Sequence, residues 1–292
     1  YMDGVRKNTL DSSERSYGRS DCALWTCYAL DPELPHGVTE AFATACLDAN
    51  VQFSDDKMLF NLPPKASCRL LCAFASSKDA SAPLEAAKEL LSKCMESESL
   101  LGELRKEQAS WWREFWNCSQ IDVGDQLLQQ YYYGSYYILA CCCGDKTKVA
   151  PGLWGNFITS PRMLWRGDLH LNYNYEAPWW GVFNGNRPAL SESYEQPILD
   201  YLPEARKHAA RMGKKGVLYP VGIGPWSICS DPLFWGQQSN AAYVAVNMAM
   251  RWRFTQDLDY LSEKAYPFIR EVGEFWESSL AFEGGRYLVK GD

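Results

Sequence analysis

Several sequence signatures are missing from this chain, and each absence removes a class of function. Its 292 residues contain no G-x-G-x-x-G, no Walker A, no G-x-S-x-G and no H-E-x-x-H. Nucleotide cradles, the α/β-hydrolase nucleophile elbow and zincin chemistry therefore have no support. The longest strongly apolar run, residues 131–143, is interrupted by Gly134 and Ser135 and is too short to cross a bilayer. Basic charge is scarce: 29 Lys and Arg stand against 36 Asp and Glu, for a net charge of -7 and no long basic run. That balance argues against nucleic acid or an anionic membrane as the main partner and favours a neutral or polar ligand. None of the eleven cysteines forms a C-x-x-C pair, so neither a zinc ribbon nor a complete disulfide framework follows, and buried free thiols are expected. No metal or cofactor is implied. Residues 1–7 lack the apolar core of a signal peptide and do not begin with Met, so the expectation is a processed or incomplete N-terminus. Asn117-Cys118-Ser119 is a lone N-x-S/T sequon, pointing towards a secreted, extracellular or lysosomal-type compartment.

What is present is a core-forming chain with 47% apolar residues and 14% aromatics. Segments 22–28, 38–47, 51–60 and 68–75 are short, rich in β-formers and separated by Pro, Gly, Asp and Asn, as in an antiparallel sandwich. From 82 to 115 the apolar spacing turns helical, with Leu84, Ala87, Leu90, Leu91 and Cys94 three and four apart. Further helices are expected over 125–143, 191–212, 240–254 and 258–280. The first of these carries Leu128, Tyr131, Ser135, Ile138, Leu139 and Cys142 along one stripe. This divides the chain into part of a β-sandwich (1–78), a helical linker (79–120) and a mainly helical domain (121–292). The loops 151–187 and 213–236 hold six of the twelve tryptophans, and long ordered loops are usually functional.

One loop stands out: Trp165-Arg166-Gly167-Asp168-Leu169-His170-Leu171-Asn172-Tyr173-Asn174-Tyr175-Glu176-Ala177-Pro178-Trp179-Trp180. Carboxylates, amides and one of only three histidines alternate with apolar or aromatic residues. Sugars need such partners, planar ones for hydroxyls and aromatic faces for C–H surfaces. Inverting glycosidases place two carboxyl groups roughly 6.5–9.5 Å apart. Asp168 and Glu176 are poor candidates for that pair: eight residues on a helix give about 80° of rotation and about 12 Å of rise, and an extended loop separates them further. Bland roles compete for each residue. Asp168 could cap a helix, Glu176 could pair with Arg166 or Arg187, and Asn240 could cap the helix after Gln237-Gln238-Ser239. Gly222-Ile223-Gly224-Pro225 reads as a turn, because Pro225 lacks a needed N–H. Of the adjacent Trp179 and Trp180, one is expected to line a cleft.

The order of these features, together with the segments 127–137 (LLQQYYYGSYY), 151–156 (PGLWGN), 168–180 and 252–261 (WRFTQDLDYL), resembles the α-L-fucosidases of glycoside hydrolase family 95 over most of the chain. The resemblance implies a mainly α fold, a partial (α/α)6 toroid of the six-hairpin glycosidases, behind part of an antiparallel β-sandwich and a helical linker. It also implies inversion, with a glutamic acid as general acid and an Asn-x-Asn pair and a distant aspartate activating water. Matching the family's Asn-Tyr to Asn174-Tyr175 puts the amide pair on Asp168 and His170. Matching it to Asn172-Tyr173 puts the pair on Arg166 and Asp168. Asp168 is then expected as the base, with His170 holding the water or a sugar hydroxyl.

The implied activity is an exo-acting glycosidase, an α-L-fucosidase or a relative such as an α-L-galactosidase, acting on a glycan. Asn172, Asn174, Glu176, Trp154, Trp165, Trp179, Trp180 and Gln238 are its expected sugar contacts. The general acid is expected beyond Asp292, in a remaining part of the same polypeptide. The competing expectation is a catalytically inactive carbohydrate-binding or structural subunit that kept the toroid. An α-helical scaffold with protein-contacting loops is a third.

Overall fold

The computed structural model describes residues 14–19, 23–29, 39–54, 57–77, 79–144, 150–155, 164–224, 227–231 and 236–289. The expectations placed on residues 1–7, Asn156, Pro225, Trp226 and Trp235 lie outside them, as does the Arg166 side chain. The chain divides into two compact units, Tyr1–Glu114 and Phe115–Asp292.

In the first unit, β1 (Glu14–Arg19), β2 (Ala23–Ala29), β3 (Thr39–Leu47) and β6 (Arg69–Ser76) form an antiparallel sheet in the order β1-β2-β3-β6. The strands β4 (Val51–Ser54) and β5 (Lys57–Phe60) pair as a separate hairpin. Alternation decides which face is buried. Ala41, Ala43 and Ala45 on β3 and Ala73 and Ala75 on β6 point to one side, where α1 (Pro83–Glu96) buries Ala87 and Leu91 against them. Small side chains let the helix lie close on the sheet, and Pro at its first turn suits a position whose N–H has no partner. The helix α2 (Glu98–Asn117) follows and carries the boundary between the units.

The second unit is built from α3 (Gln126–Cys142), α4 (Trp180–Asn184), α5 (Glu192–Arg211) and α6 (Asn240–Thr255), followed by α7 (Leu258–Tyr260), a π-turn over Leu261–Ala265 and α8 (Tyr266–Ser279). All four expected helices are present. Asp125 caps α3 by accepting from the N–H groups of Leu127 and Leu128, and Asp257 caps α7 through Tyr260 N at 2.9 Å. Asn240 does not cap α6; Ser239 stands at the cap, and the buried Asn240 amide donates instead to Tyr219 O at 3.2 Å.

Along the α3 stripe, Leu128, Tyr131 and Ile138 are more than half exposed and Cys142 is buried; Tyr136 and Ala140 are the other buried residues of α3. One sequence expectation changes here. Gly222-Ile223-Gly224 is not a turn but the strand β8 (Gly222–Gly224), between β7 (Leu169–His170) and β9 (Ile228–Asp231) in a small antiparallel sheet. The tertiary partners, β7 and β9, supply the pairing that the local Gly-x-Gly pattern does not reveal. The thiols are also less uniform than expected: Cys46, Cys142 and Cys143 are buried, while Cys72 and Cys141 are exposed.

The core of the second unit is held by two buried ionic arrangements. Arg251 donates to Glu195 Oε2 at 2.8 Å and to Glu192, and lies 4.2 Å from the centre of the Tyr260 ring. Tyr260 donates to the other Glu195 oxygen at 2.8 Å. Arg187, only 3% exposed, reaches no carboxylate among the described residues. Its guanidinium donates to Gly185 O at 2.5 Å, Ser119 Oγ at 2.6 Å and Phe115 O at 3.3 Å, and stacks 4.4 Å from the Tyr136 ring centre. Carbonyls and aromatic faces compensate this charge in place of a counter-ion.

Candidate active site around His170

The loop that stood out in the sequence is anchored at several points by backbone bonds. Leu153 N donates to Asp168 O at 2.8 Å, Leu171 N to Val221 O at 2.7 Å and Tyr175 N to His170 O at 3.0 Å. Close approach of two loops requires Gly152, where a Cβ would lie 2.0 Å from Gly167 O. Trp165 has φ 49°, in the left-handed region that bulky residues avoid. The turn it makes directs the chain into β7.

Asp168 and His170 lie side by side. His170 Nδ1 is 3.0 Å from Asp168 Oδ1, and Ser230 Oγ donates to Asp168 Oδ2 at 3.0 Å. Ser230 reaches this position through a β-bulge: Gly222 pairs with Asp231 and Ile223 with Cys229, leaving Ser230 as the extra residue on β9. The Asp168 side chain is 1% exposed and that of His170 11%. Asp168 is therefore not a helix cap, and its enclosed side chain is engaged on both oxygens.

His170 borders a cavity of about 820 Å³, shared with Asn174, Tyr175, Pro178 and Trp179 from its own loop. The opposite wall is the α3 stripe, including Tyr131, Ser135, Ile138, Leu139 and Cys142, with Pro151–Leu153 at one side. Most of the stripe thus lines the cavity, and no local signal separates a cavity wall from core because both are apolar at helical spacing.

The remaining sequence candidates are distributed around this centre. Trp154 and Trp165 are 44% and 50% exposed and stack at 6.5 Å and 25°, with the Trp165 ring 6.1 Å from His170. They form an aromatic wall beside the histidine without bordering the cavity. The adjacent indoles do diverge: Trp179 is buried against Tyr194 and borders the cavity, while Trp180 is exposed beside Tyr173 and Tyr243. Asn172 and Gln238 are half-buried and do not border the cavity.

Glu176 departs most from expectation. It is fully buried, does not pair with Arg187, and both carboxyl oxygens lack a partner among the described residues; the Arg166 side chain lies outside those residues. Burial pushes its carboxyl up to about 8. Glu176 does not border the cavity. Residues the sequence reading missed are Ser230, Tyr194, Tyr243 and Asn247. They join the loop through contacts 62 to 71 residues apart for Ser230 and Asn247, beyond any local pattern.

With the geometry defined, the known proteins most informative about this chain fall in one area of chemistry. Residues 84–292 match the glycosyl hydrolase family 95 catalytic domain. The chain is 25% identical over 195 residues to the alpha,alpha-trehalose phosphorylase of Thermoanaerobacter brockii, covering 64% of this chain and 24% of that protein. It is 24% identical over 144 residues to alpha-L-fucosidase 2 of Arabidopsis thaliana, covering 44% of this chain and 16% of that protein. The chain thus spans about a quarter or less of the length of these relatives. Its fold is shared with a solved structure named "Putative kojibiose phosphorylase from human microbiome", at TM-score 0.64 and 13% identity over 92% of this chain and 37% of that one. The architecture is mainly α, in the six-hairpin glycosidase class, with an antiparallel sheet ahead of it. By the match over residues 84–292, the chain belongs to glycosyl hydrolase family 95.

Proposed function

We propose that the His170 cavity is the nucleophile side of a glycoside-cleaving site, acting on a terminal sugar of a glycan, with an α-L-fucoside or related α-L-galactoside as the first substrate to test. The observation that carries this reading is the Asp168–His170 pair at the edge of the cavity. A carboxylate that accepts from Nδ1–H fixes the tautomer, leaving Nε2 as the free ring nitrogen. Such a nitrogen can hold or deprotonate a water, or accept from a sugar hydroxyl. Neither matching of the family's Asn-Tyr keeps the amide pair, but Asn172-Tyr173-Asn174 has the Asn-x-Asn spacing, and Asn174 borders the same cavity as His170. On this reading Asn174 and His170 hold the water, Asp168 is the positioning residue, and Trp154 and Trp165 carry the sugar's C–H face. The general acid comes from a part of the polypeptide other than the residues described.

A second reading replaces water with inorganic phosphate. It is favoured by the match to a trehalose phosphorylase over 64% of the chain, more than the fucosidase covers. One experiment separates the readings. The full-length polypeptide is incubated with α-L-fucosides, α-L-galactosides and α-glucobioses, with and without phosphate. Free monosaccharide released without phosphate supports hydrolysis; a sugar 1-phosphate formed only with phosphate supports phosphorolysis. Sugar binding with neither product identifies a non-catalytic carbohydrate-binding subunit. Passage through a secretory route belongs to the same proposal and is supported by the sequon at Asn117, exposed at the end of α2. A mass decrease on treatment with an amide-cleaving glycosidase tests it.

A further inference from the structure

Glu176 lies at the end of the site loop, yet it cannot touch a ligand in the cavity. Its surroundings are built from three elements. Tyr175 precedes it in the loop, Tyr194 comes from α5, and Tyr243 and Asn247 come from α6. The Tyr175 and Tyr194 rings stack at 4.8 Å, and Trp179 packs edge-on against Tyr194 at 5.4 Å. Both tyrosine hydroxyls are committed to carbonyls, Tyr175 to Tyr194 O at 2.7 Å and Tyr194 to Val244 O at 3.0 Å. Asn247 Nδ2 donates to the backbone O of Glu176 at 3.0 Å, which ties the loop's end to α6. That leaves Glu176 Oε1, Glu176 Oε2 and Asn247 Oδ1 buried without partners. With an ionised carboxyl, all three are orphan acceptors and one carries charge. A single proton on Glu176 turns one of them into a donor and removes the charge.

We infer that Glu176 is a positioning residue: held as a neutral acid inside this enclosure, it keeps the 170–176 loop folded at the cavity, and its ionisation releases the loop. The inference rests on the reading of His170 and Asn174 as site residues for its functional meaning, although the loop's response to protonation does not. The titratable groups facing the carboxyl are Tyr175, Tyr194 and Tyr243, each of which senses it. Glu195 acts on Tyr175 and Tyr194, and Cys143 on Tyr175. All are neutral or negative, so none favours a charged Glu176, and burial pushes the carboxyl up to about 8. Loop order should therefore fall as pH rises from about 4.5 to about 8.

The test needs no substrate. Hydrogen–deuterium exchange is measured for peptides covering 169–177, in the unmodified full chain and in Glu176→Gln, at matched pH values from below about 4.5 to above about 8. The glutamine variant corrects for the intrinsic pH dependence of exchange. The expected result is equal protection at low pH and, as pH rises from about 4.5 to about 8, a loss in the unmodified chain of up to about tenfold per pH unit relative to Glu176→Gln, levelling off above about 8. Parallel profiles would overturn the proposal. If Glu176→Gln does not fold, the unmodified chain decides: an infrared band of a protonated carboxyl must persist at neutral pH and vanish together with loop protection. Its absence at neutral pH overturns the proposal. A pH-responsive loop with no glycoside cleavage would leave this inference standing while the functional reading failed, so the two failures are separable.

Discussion

His170 Nδ1 lies 3.0 Å from Asp168 Oδ1, and the aspartate's second oxygen is taken by Ser230 from a strand 62 residues away. This pair makes Asp168 a support for the imidazole, and four predictions follow from it and its surroundings.

Asp168→Asn keeps the size of the side chain but removes its charge and offers an amide where an acceptor is needed, favouring the wrong tautomer of His170. In the full-length polypeptide, turnover should fall about 10²–10⁴-fold with a much smaller change in KM. Steady-state kinetics read this directly, and turnover within twofold of the unmodified protein would remove Asp168 from the mechanism.

Trp154, Trp165 and Trp179 should separate into two classes. Trp154→Ala and Trp165→Ala, at exposed stacked rings, should weaken glycan binding by about 1 kcal/mol, roughly fivefold in Kd, with little effect on stability. Trp179→Ala, at a residue 2% exposed, should instead cost about 3–5 kcal/mol of stability. Calorimetric titration and denaturant unfolding distinguish the classes.

Glu176 titrates in the folded protein near 8, against an ordinary value of 4.5. The folded state thus binds the proton more tightly than the unfolded one. The stability gained from this is fully present below about 4.5 and is lost as pH rises to about 8. Glu176→Gln does not titrate, so its stability relative to the unmodified protein should rise across that window by up to about 1.4 kcal/mol per pH unit and level off on both sides. Urea unfolding at a series of pH values checks the slope; a constant difference between the two proteins would contradict it.

Arg251→Met should destabilise the second unit by about 3–5 kcal/mol. It leaves Glu195, with a side chain 2% exposed, without its cation, although Tyr260 still donates to it. The double variant Arg251→Met, Glu195→Gln should recover part of the loss, because no charge is then buried unpaired. Absence of any recovery in thermal unfolding would show that Arg251 acts mainly by packing on Tyr260.

Much of this protein is determined locally and is therefore legible in the sequence. The α3, α5 and α6 helices follow from apolar spacing and caps such as Asp125, and the β3 and β6 strands from alternation that places alanines on one face. The loop rich in Asp, His and Asn is visible as composition because those residue types stand together in it. Tertiary structure alone decided the roles within it. Whether the α3 stripe was core or cavity wall depended on what lay opposite it, and Gly222–Gly224 became a strand only because β7 and β9 flank it. Both oxygens of Asp168 are engaged because a bulge 62 residues away brings Ser230 to the second one. Glu176 is enclosed rather than exposed because Tyr175, Tyr194, Tyr243 and Asn247 lie around it. Burial and hydrogen-bond partners are properties of the assembled chain, and they set whether a carboxyl is a base, a support or a neutral acid.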